Sequence, residues 1–153
     1  VVMIGTGRGR ATAEQSVGPG LTGYQWTASN VREKTWATNN VAGTTTFSDK
    51  NNTHLFPVRF DSFADGDGQA AEFDSGGGIF RYNLPLTQWE LIGVPVSIGT
   101  FEDQDPQTAA YGNTTNIADL SVYRDQIVAV IPEPASVALL CSGAMLALTT
   151  RRR

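Results

Sequence analysis

The densest group of side chains capable of chemistry is a cluster of carboxylates in the segment DSFADGDGQAAEFD, residues 61–74. Its members are Asp61, Asp65, Asp67, Glu72 and Asp74. Gly66 and Gly68 let backbone carbonyls turn toward a hard cation, and calcium binds carboxylate and carbonyl oxygens. Ala70 stands where an EF-hand needs glycine. We therefore expect a solvated acidic turn, no cofactor and no metal site, with a calcium-stabilised loop over Asp61 to Asp74 as the alternative.

Aromatic side chains form a second group with a chemical use. They are Trp26, Trp36 and Trp89, with Tyr24, Tyr82 and Tyr111. Arranged on an exposed sheet face, such rings form a platform on which sugar rings stack. Aromatic residues more often fill cores, so we expect packing in the core and at sheet edges, with glycan binding as the alternative. Two or more tryptophans that lie coplanar on an exposed face would favour the glycan, whereas buried tryptophans would favour a structural role.

Nucleophilic catalysis is poorly supported by the sequence. His54 is the only histidine, Cys141 is the only cysteine and lies in an apolar C-terminal stretch, and no Gly-x-Ser-x-Gly elbow is present. A glycosidase needs two carboxylates at a set separation, and nothing singles out such a pair. We expect no enzyme, and a hydrolase with an unrecognised acidic pair is the alternative.

Two further patterns suggest sites that we reject. Gly5-Thr6-Gly7-Arg8-Gly9 has the start of a dinucleotide-binding loop, but Arg10 occupies the third glycine position and Pro19 interrupts a following helix. Asn113-Thr114-Thr115 matches an N-glycosylation acceptor, and we interpret it as a polar turn.

Composition and charge limit the class of protein. The chain has 153 residues, which suits one domain, and a formal net charge of −4. Three of the basic residues are the last three of the chain, so the remainder is more acidic still. An acidic surface repels phosphate backbones, and we therefore expect no nucleic-acid partner.

Short apolar runs separated by turn residues predict an all-β body over residues 21–131. The runs are Tyr24 to Trp26, Lys34 to Ala37, His54 to Phe60, Gly78 to Leu84, Gln88 to Phe101 and Leu120 to Val130. Pro95 within the fifth run indicates an edge strand or a bulge. This spacing favours a β-sandwich, jelly-roll or Ig-like, with a closed barrel as the alternative.

The C-terminal residues have the chemistry of a membrane segment. No charge occurs between Ala135 and Thr150, and Arg151, Arg152 and Arg153 follow. As a helix, the stretch from Ala135 to Thr150 would span about 24 Å, which is a marginal length for crossing a bilayer. Pro134 suits a first helical turn, Glu133 complements the dipole, and the arginines favour the cytoplasmic side. We expect a single transmembrane-type helix.

Pro132, Glu133 and Pro134, the apolar stretch and the terminal arginines closely resemble, in order and position, the PEP-CTERM sorting signal of Gram-negative and related bacteria. The resemblance covers residues 132–153 only. It implies that Pro132, Glu133 and Pro134 form the motif recognised by an exosortase, a membrane-embedded processing transpeptidase. It also implies export through a signal peptide, and we expect residues 1–20 to be a disordered or remnant N-terminal segment because they contain no adequate apolar stretch.

Together these observations predict an exported bacterial surface or extracellular-matrix protein, anchored in the membrane before an exosortase processes it. Its body is expected to be structural or adhesive, and extracellular polysaccharide is a candidate partner. The alternatives are a glycan-binding module and a plain protein anchored by a single membrane span.

Overall fold

The computed structural model describes residues 1–11, 13–43, 47–48, 52–62 and 66–131. These residues form ten strands followed by one helix. The strands are β1 (Val2–Gly5), β2 (Gln15–Ser16), β3 (Thr22–Gln25), β4 (Thr35–Thr38), β5 (Phe47–Ser48), β6 (His54–Arg59), β7 (Gly78–Asn83), β8 (Gln88–Gly99), β9 (Thr108–Ala110) and β10 (Thr114–Asp119), and the helix is α1 (Leu120–Val130).

The strands form two antiparallel sheets. The larger sheet has the order β4-β1-β7-β8-β10-β6-β5, and the smaller has the order β2-β3-β9. Each strand pairing that the structure describes in either sheet is antiparallel. The all-β class expected from the sequence agrees with this architecture.

The core lies against one face of the larger sheet. Met3 on β1, Ile79 on β7, Ile117 on β10 and Phe56 and Val58 on β6 are buried together. Because side chains alternate between the two faces of a strand, their neighbours Val2, Ile4 and Phe80 point to the opposite face. The larger sheet therefore has a buried face and a second, separate face.

Five of the predicted strands are confirmed, namely those that correspond to β3, β4, β6, β7 and β8. Pro95 lies at a bulge, since the register of β8 against β10 passes from Ser97 opposite Asn116 to Pro95 opposite Ile117. Strand β8 is interior, because β7 pairs with its other side. The bulge inserts Val96 as an unpaired residue, and the Val96 side chain is exposed.

Two expectations about segments are wrong. Within residues 1–20, which we expected to be disordered or a remnant, Val2–Gly5 form β1 between β4 and β7. The run from Leu120 to Val130, expected as a strand, is helix α1. Leu120 and Val122 alternate, but Asp119 caps a helix here, because its Oδ1 accepts hydrogen bonds from Ser121 N at 2.9 Å and Ser121 Oγ at 2.6 Å.

The chain divides into two units, Val1–Ser121 and Val122–Arg153. Both sheets belong to the first unit, and the described part of the second continues α1. No helix within the described ranges is both long and apolar enough to cross a membrane. The expected sorting motif, apolar segment and arginine cluster all lie outside the described residues.

Candidate functional site

The second face of the larger sheet carries large apolar side chains across four strands. The register pairs Ile4 with Trp36, Val2 with Phe80, Phe80 with Leu91, and Tyr82 with Trp89. Residues directly opposite each other in antiparallel strands project to the same face. These side chains therefore form one surface, which we call the aromatic face (Val2, Ile4, Trp36, Phe80, Tyr82, Trp89 and Leu91).

Exposure distinguishes this face from a core. Trp36 is 71% exposed, Trp89 is 58% exposed, and Tyr82 is also exposed. The expectation of core packing is therefore wrong for these three side chains. Two tryptophans therefore share one exposed face, which is part of the arrangement that favours glycan binding.

A cleft of about 600 Å³ lies on the aromatic face. Its walls come from β1, β4, β7 and β8 and consist of Val2, Ile4, Thr35, Trp36, Phe80 and Trp89, with Lys34 at the start of β4. We call it the apolar cleft. Lys34 is the charged residue among these lining groups and Thr35 supplies a hydroxyl, so contact with a ligand here is dominated by carbon surface.

A second cleft, of about 420 Å³, shares Val2 and Trp89 with the first. Its wall also contains Asn40, Asp67 and Arg81, so we call it the polar cleft. Burial raises the pKa of Asp67 above its ordinary value, although hydrogen bonds from the backbone N–H groups of Asp61 and Gly68 oppose this shift. Trp89 is therefore bordered on one side by carbon surface and on the other by hydrogen-bonding groups.

The ring of Trp89 is positioned by its neighbours on the β7–β8 hairpin. Tyr82 meets it edge-on, with ring centroids 5.4 Å apart and planes at 63°. Beside this pair, Glu90 accepts hydrogen bonds from Asn83 Nδ2 at 2.7 Å and from Arg81 Nε at 3.0 Å. Both hydrogen bonds lower the pKa of the Glu90 carboxyl, and the bond from Asn83 has the larger effect. The hairpin thus holds Trp89 through an aromatic contact and polar cross-strand bonds.

The other predicted aromatic residues belong to a different place. Tyr24 on β3 and Tyr111 after β9 bring their hydroxyl oxygens within 2.7 Å, and Tyr111 donates a hydrogen bond to Glu14 at 2.8 Å. Both rings contact Phe60. The ring of Trp26 faces the guanidinium of Arg8 at 5.6 Å. The six predicted aromatics therefore do not form one platform, and only Trp36, Tyr82 and Trp89 share a face.

The acidic segment supplies three carboxylates to three structural tasks. Asp74 Oδ1 accepts from Gly7 N at 2.6 Å and Oδ2 from Ala71 N at 2.8 Å. Asp67 accepts from Asp61 N at 2.6 Å, and Glu72 pairs with Arg8 at 2.9 Å. Within the described ranges, no three His, Cys, Asp or Glu residues lie together as metal ligands. Asp65 lies outside those ranges, and calcium binding stays a prediction tested by melting with calcium and with chelator.

The glycine-rich segment after β1 serves this internal network. The Arg8 side chain is 2% exposed. Its Nε donates to Thr27 O at 2.6 Å, Nη1 to Glu72 Oε2 at 2.9 Å and Nη2 to Gln107 Oε1 at 3.0 Å. A side chain at Gly5 or Gly7 would overlap the Asp74 carboxylate. The glycine spacing is thus explained by close approach of Asp74, in agreement with our rejection of a dinucleotide loop.

Sequence reasoning missed part of the aromatic face. Val2, Ile4 and Phe80 line the apolar cleft but drew no attention as site residues, and neither did Lys34. The available signal was alternation: Val2 and Ile4 flank Met3, and Phe80 and Tyr82 flank Arg81. A strand with apolar residues at successive positions carries apolar side chains on both faces of its sheet. Asn113 is 1% exposed and closes a turn, since its N–H donates to Ala110 O at 3.1 Å, whereas Thr114 and Thr115 begin β10.

Comparison of the chain with protein-family models, curated proteins and solved structures finds no match in any of the three. The function is therefore inferred from the geometry of the site and from the sequence of the tail.

Proposed function

We propose that the chain is an exported bacterial surface or extracellular-matrix protein whose body is an adhesive module that binds polysaccharide through the aromatic face. The observation that carries this proposal is the joint exposure of Trp36 and Trp89 on one sheet face, lining one cleft. An acidic, non-enzymatic body is compatible with an uncharged ligand such as a glycan.

Stacking on sugar rings explains why such rings are exposed. The faces of a pyranose ring present C–H groups, which pack against the electron-rich face of an indole and remove apolar area from water. Exposed tryptophans without a ligand leave that area solvated, which is an arrangement typical of interaction surfaces. The polar cleft beside Trp89 adds the hydrogen-bonding groups that sugar hydroxyls need, supplied by Asn40, Asp67 and Arg81.

For the finer architecture we propose a β-sandwich, with jelly-roll and Ig-like orders as alternatives. Its support is the contact of Phe60, which follows β6 of the larger sheet, with Tyr24 on β3 of the smaller sheet at a centroid distance of 6.3 Å. A sandwich leaves the outer face of each sheet accessible, as the aromatic face requires.

The proposal is tested by affinity electrophoresis of the purified protein in gels that contain soluble glucans, xylans, mannans or chitosan derivatives. We expect retardation by at least one polysaccharide, and its loss in Trp36→Ala and Trp89→Ala. The matched control is Phe101→Ala, which removes an exposed aromatic residue that lines neither cleft. Equal mobility of the wild type with and without every polysaccharide would refute glycan binding.

Export and sorting are proposed from the tail sequence alone. Pro132, Glu133 and Pro134 are the proposed exosortase motif, and processing is expected to remove Arg151, Arg152 and Arg153. Mass spectrometry of the surface-located protein in a host with an exosortase tests this. We expect the terminal arginines to be absent, and to be retained when Pro132-Glu133-Pro134 is replaced by alanines. An intact C-terminus on surface protein would instead indicate a single-span anchor.

A further inference from the structure

We infer that the ligand of the aromatic face is an extended, neutral, β-1,4-linked polysaccharide chain that runs diagonally across the sheet from Trp36 to Trp89, and not a single sugar. This inference rests on the proposed function and adds to it the class, length and direction of the glycan.

The distance between the two indoles requires a ligand of several rings. Trp36 lies on β4 and Trp89 on β8, three strand spacings apart in the order β4-β1-β7-β8, which is about 14 Å. Along the strands, Trp36 is level with Ile4 and Gly78, whereas Trp89 is level with Tyr82, four residues further along β7. Four residues rise about 14 Å, so an untwisted sheet separates the two Cα atoms by about 20 Å on the diagonal.

The apolar cleft connects the two tryptophans, because Trp36 and Trp89 both line it. Val2 and Trp89 also line the polar cleft, but Asn40 and Asp67 lie on the β4 side of the sheet, since Asn40 follows β4 and Asp67 forms a bridge with Thr38. The polar cleft therefore lies beside the line from Trp36 to Trp89 and not beyond Trp89. A monosaccharide bound to Trp89 would leave Trp36 uncovered, whereas an extended oligosaccharide covers both.

Charge in the two clefts favours a neutral glycan. The guanidinium of Arg81 is neutralised by Glu90, with Nη2 and Oε2 3.0 Å apart. Asp67 in the polar cleft would repel a uronic acid or a sulfate group, and Lys34 in the apolar cleft would repel an amino sugar in its cationic form. A polymer charged uniformly with either sign therefore meets one like charge.

The scarcity of hydrogen-bonding groups in the apolar cleft favours a stiff chain. Thr35, Lys34 and the indole N–H groups of Trp36 and Trp89 are the side-chain polar groups of that cleft, so affinity must come mostly from apolar contact. A flexible ligand loses conformational entropy on binding, and few hydrogen bonds are present to offset that loss. A β-1,4-linked chain is extended before it binds and keeps its ring faces close to one plane, whereas an α-linked helical glucan curves away from the sheet.

The test is isothermal titration of the full chain, in detergent, with cello- and chito-oligosaccharides of increasing length and with malto-oligosaccharides as the α-linked series. We expect affinity to rise about tenfold or more from the disaccharide to the hexasaccharide in a β-linked series. Trp36→Ala should remove this gain with length, whereas Trp89→Ala should weaken binding at every length, the disaccharide included. Phe101→Ala is the control and should retain the length dependence.

Several results would overturn the inference while the proposed function stands. They are affinity that is already maximal at the disaccharide, equal affinity for the α-linked series, and tighter binding of charged polymers such as pectate or chitosan, each still lost in Trp89→Ala. Absence of binding to every glycan would overturn both proposals. Light scattering that shows a dimer lost on Trp36→Ala would assign the face to a second copy of the chain instead.

Discussion

Arg8 follows β1 and Trp36 lies on its partner β4 near the same end of this strand pair, and their environments reverse the usual distribution of polar and apolar residues. The Arg8 side chain is 2% exposed and makes three hydrogen bonds to acceptors in distant segments. Trp36 is 71% exposed, and it lines the apolar cleft. Charged groups are mostly exposed in proteins and large apolar groups mostly buried, so each position is informative.

The difference separates structural chemistry from binding chemistry. The internal network of Arg8, Glu72 and Asp74 looks reactive in the sequence, yet each of its groups is occupied by a partner within the chain. The aromatic face is mostly carbon surface, with the Tyr82 hydroxyl and the indole N–H groups as its polar atoms, and much of it is exposed to solvent. An exposed apolar surface of this kind fits the proposed adhesion by stacking.

The largest effect that we predict is that of Asp74→Ala. The substitution leaves the buried N–H groups of Gly7 and Ala71 without their acceptor. Each unsatisfied N–H group costs about 1 to 3 kcal/mol, so we expect the free energy of unfolding to fall by about 4 kcal/mol. Urea denaturation followed by tryptophan fluorescence measures it. Asp74→Asn, which keeps one acceptor oxygen, should lose less, and an equal loss in both variants would contradict this account.

A somewhat smaller loss is expected for Arg8→Met. The substitution keeps much of the apolar stem but leaves Thr27 O and Gln107 Oε1 without their donors, and we expect about 3 kcal/mol of destabilisation. The half-exposed carboxylate of Glu72 regains water, which limits the loss. Unchanged urea stability would show that Arg8 is replaceable by an apolar residue and that the network is not structural.

On the aromatic face, urea denaturation should show little change in the free energy of unfolding. Trp36→Ala and Trp89→Ala remove solvent-exposed side chains, so we expect the free energy of unfolding to change by less than about 1 kcal/mol. The matched control is Ile79→Ala on the buried face of the same sheet, which should cost about 3 kcal/mol because it opens a cavity. If the tryptophan variants lose as much as Ile79→Ala, the face is covered in solution.

The smallest effect concerns Tyr111, whose surroundings mix aromatic and polar contacts. Burial, and then hydrogen bonding with Tyr24 and Glu14, raises the pKa of the Tyr111 phenol above its ordinary value near 10. The associated stability is fully present below pH 10 and is lost as the pH rises through the raised pKa. Spectrophotometric titration should show one phenol that ionises late, and Tyr111→Phe should remove it. Uniform titration of all tyrosines would contradict the prediction.

Strands were predictable where the pattern was local. The runs around Trp36, Phe56 and Phe80 have a β-type composition and are bounded by turn residues, and β4, β6 and β7 formed there. Strand β1 was missed, although it has four residues like β3 and β4, which were predicted. Its place between β4 and β7 depends on partners more than 30 and 70 residues away. Helix α1 was missed because Leu120 and Val122 fit a strand, whereas the cap at Asp119 decided the conformation.

For the candidate site, the sequence by itself identified the rings that could stack on a sugar, the carboxylates that deserved testing and the resemblance of the tail to a sorting signal, because residue type and spacing are local properties. The tertiary structure alone decided that Trp36 and Trp89 share an exposed face. It also decided that Asp74 and Arg8 turn inward. The orientation of a side chain toward core or solvent depends on which strands pair and in what register, and that choice is made by contacts between residues far apart in the chain.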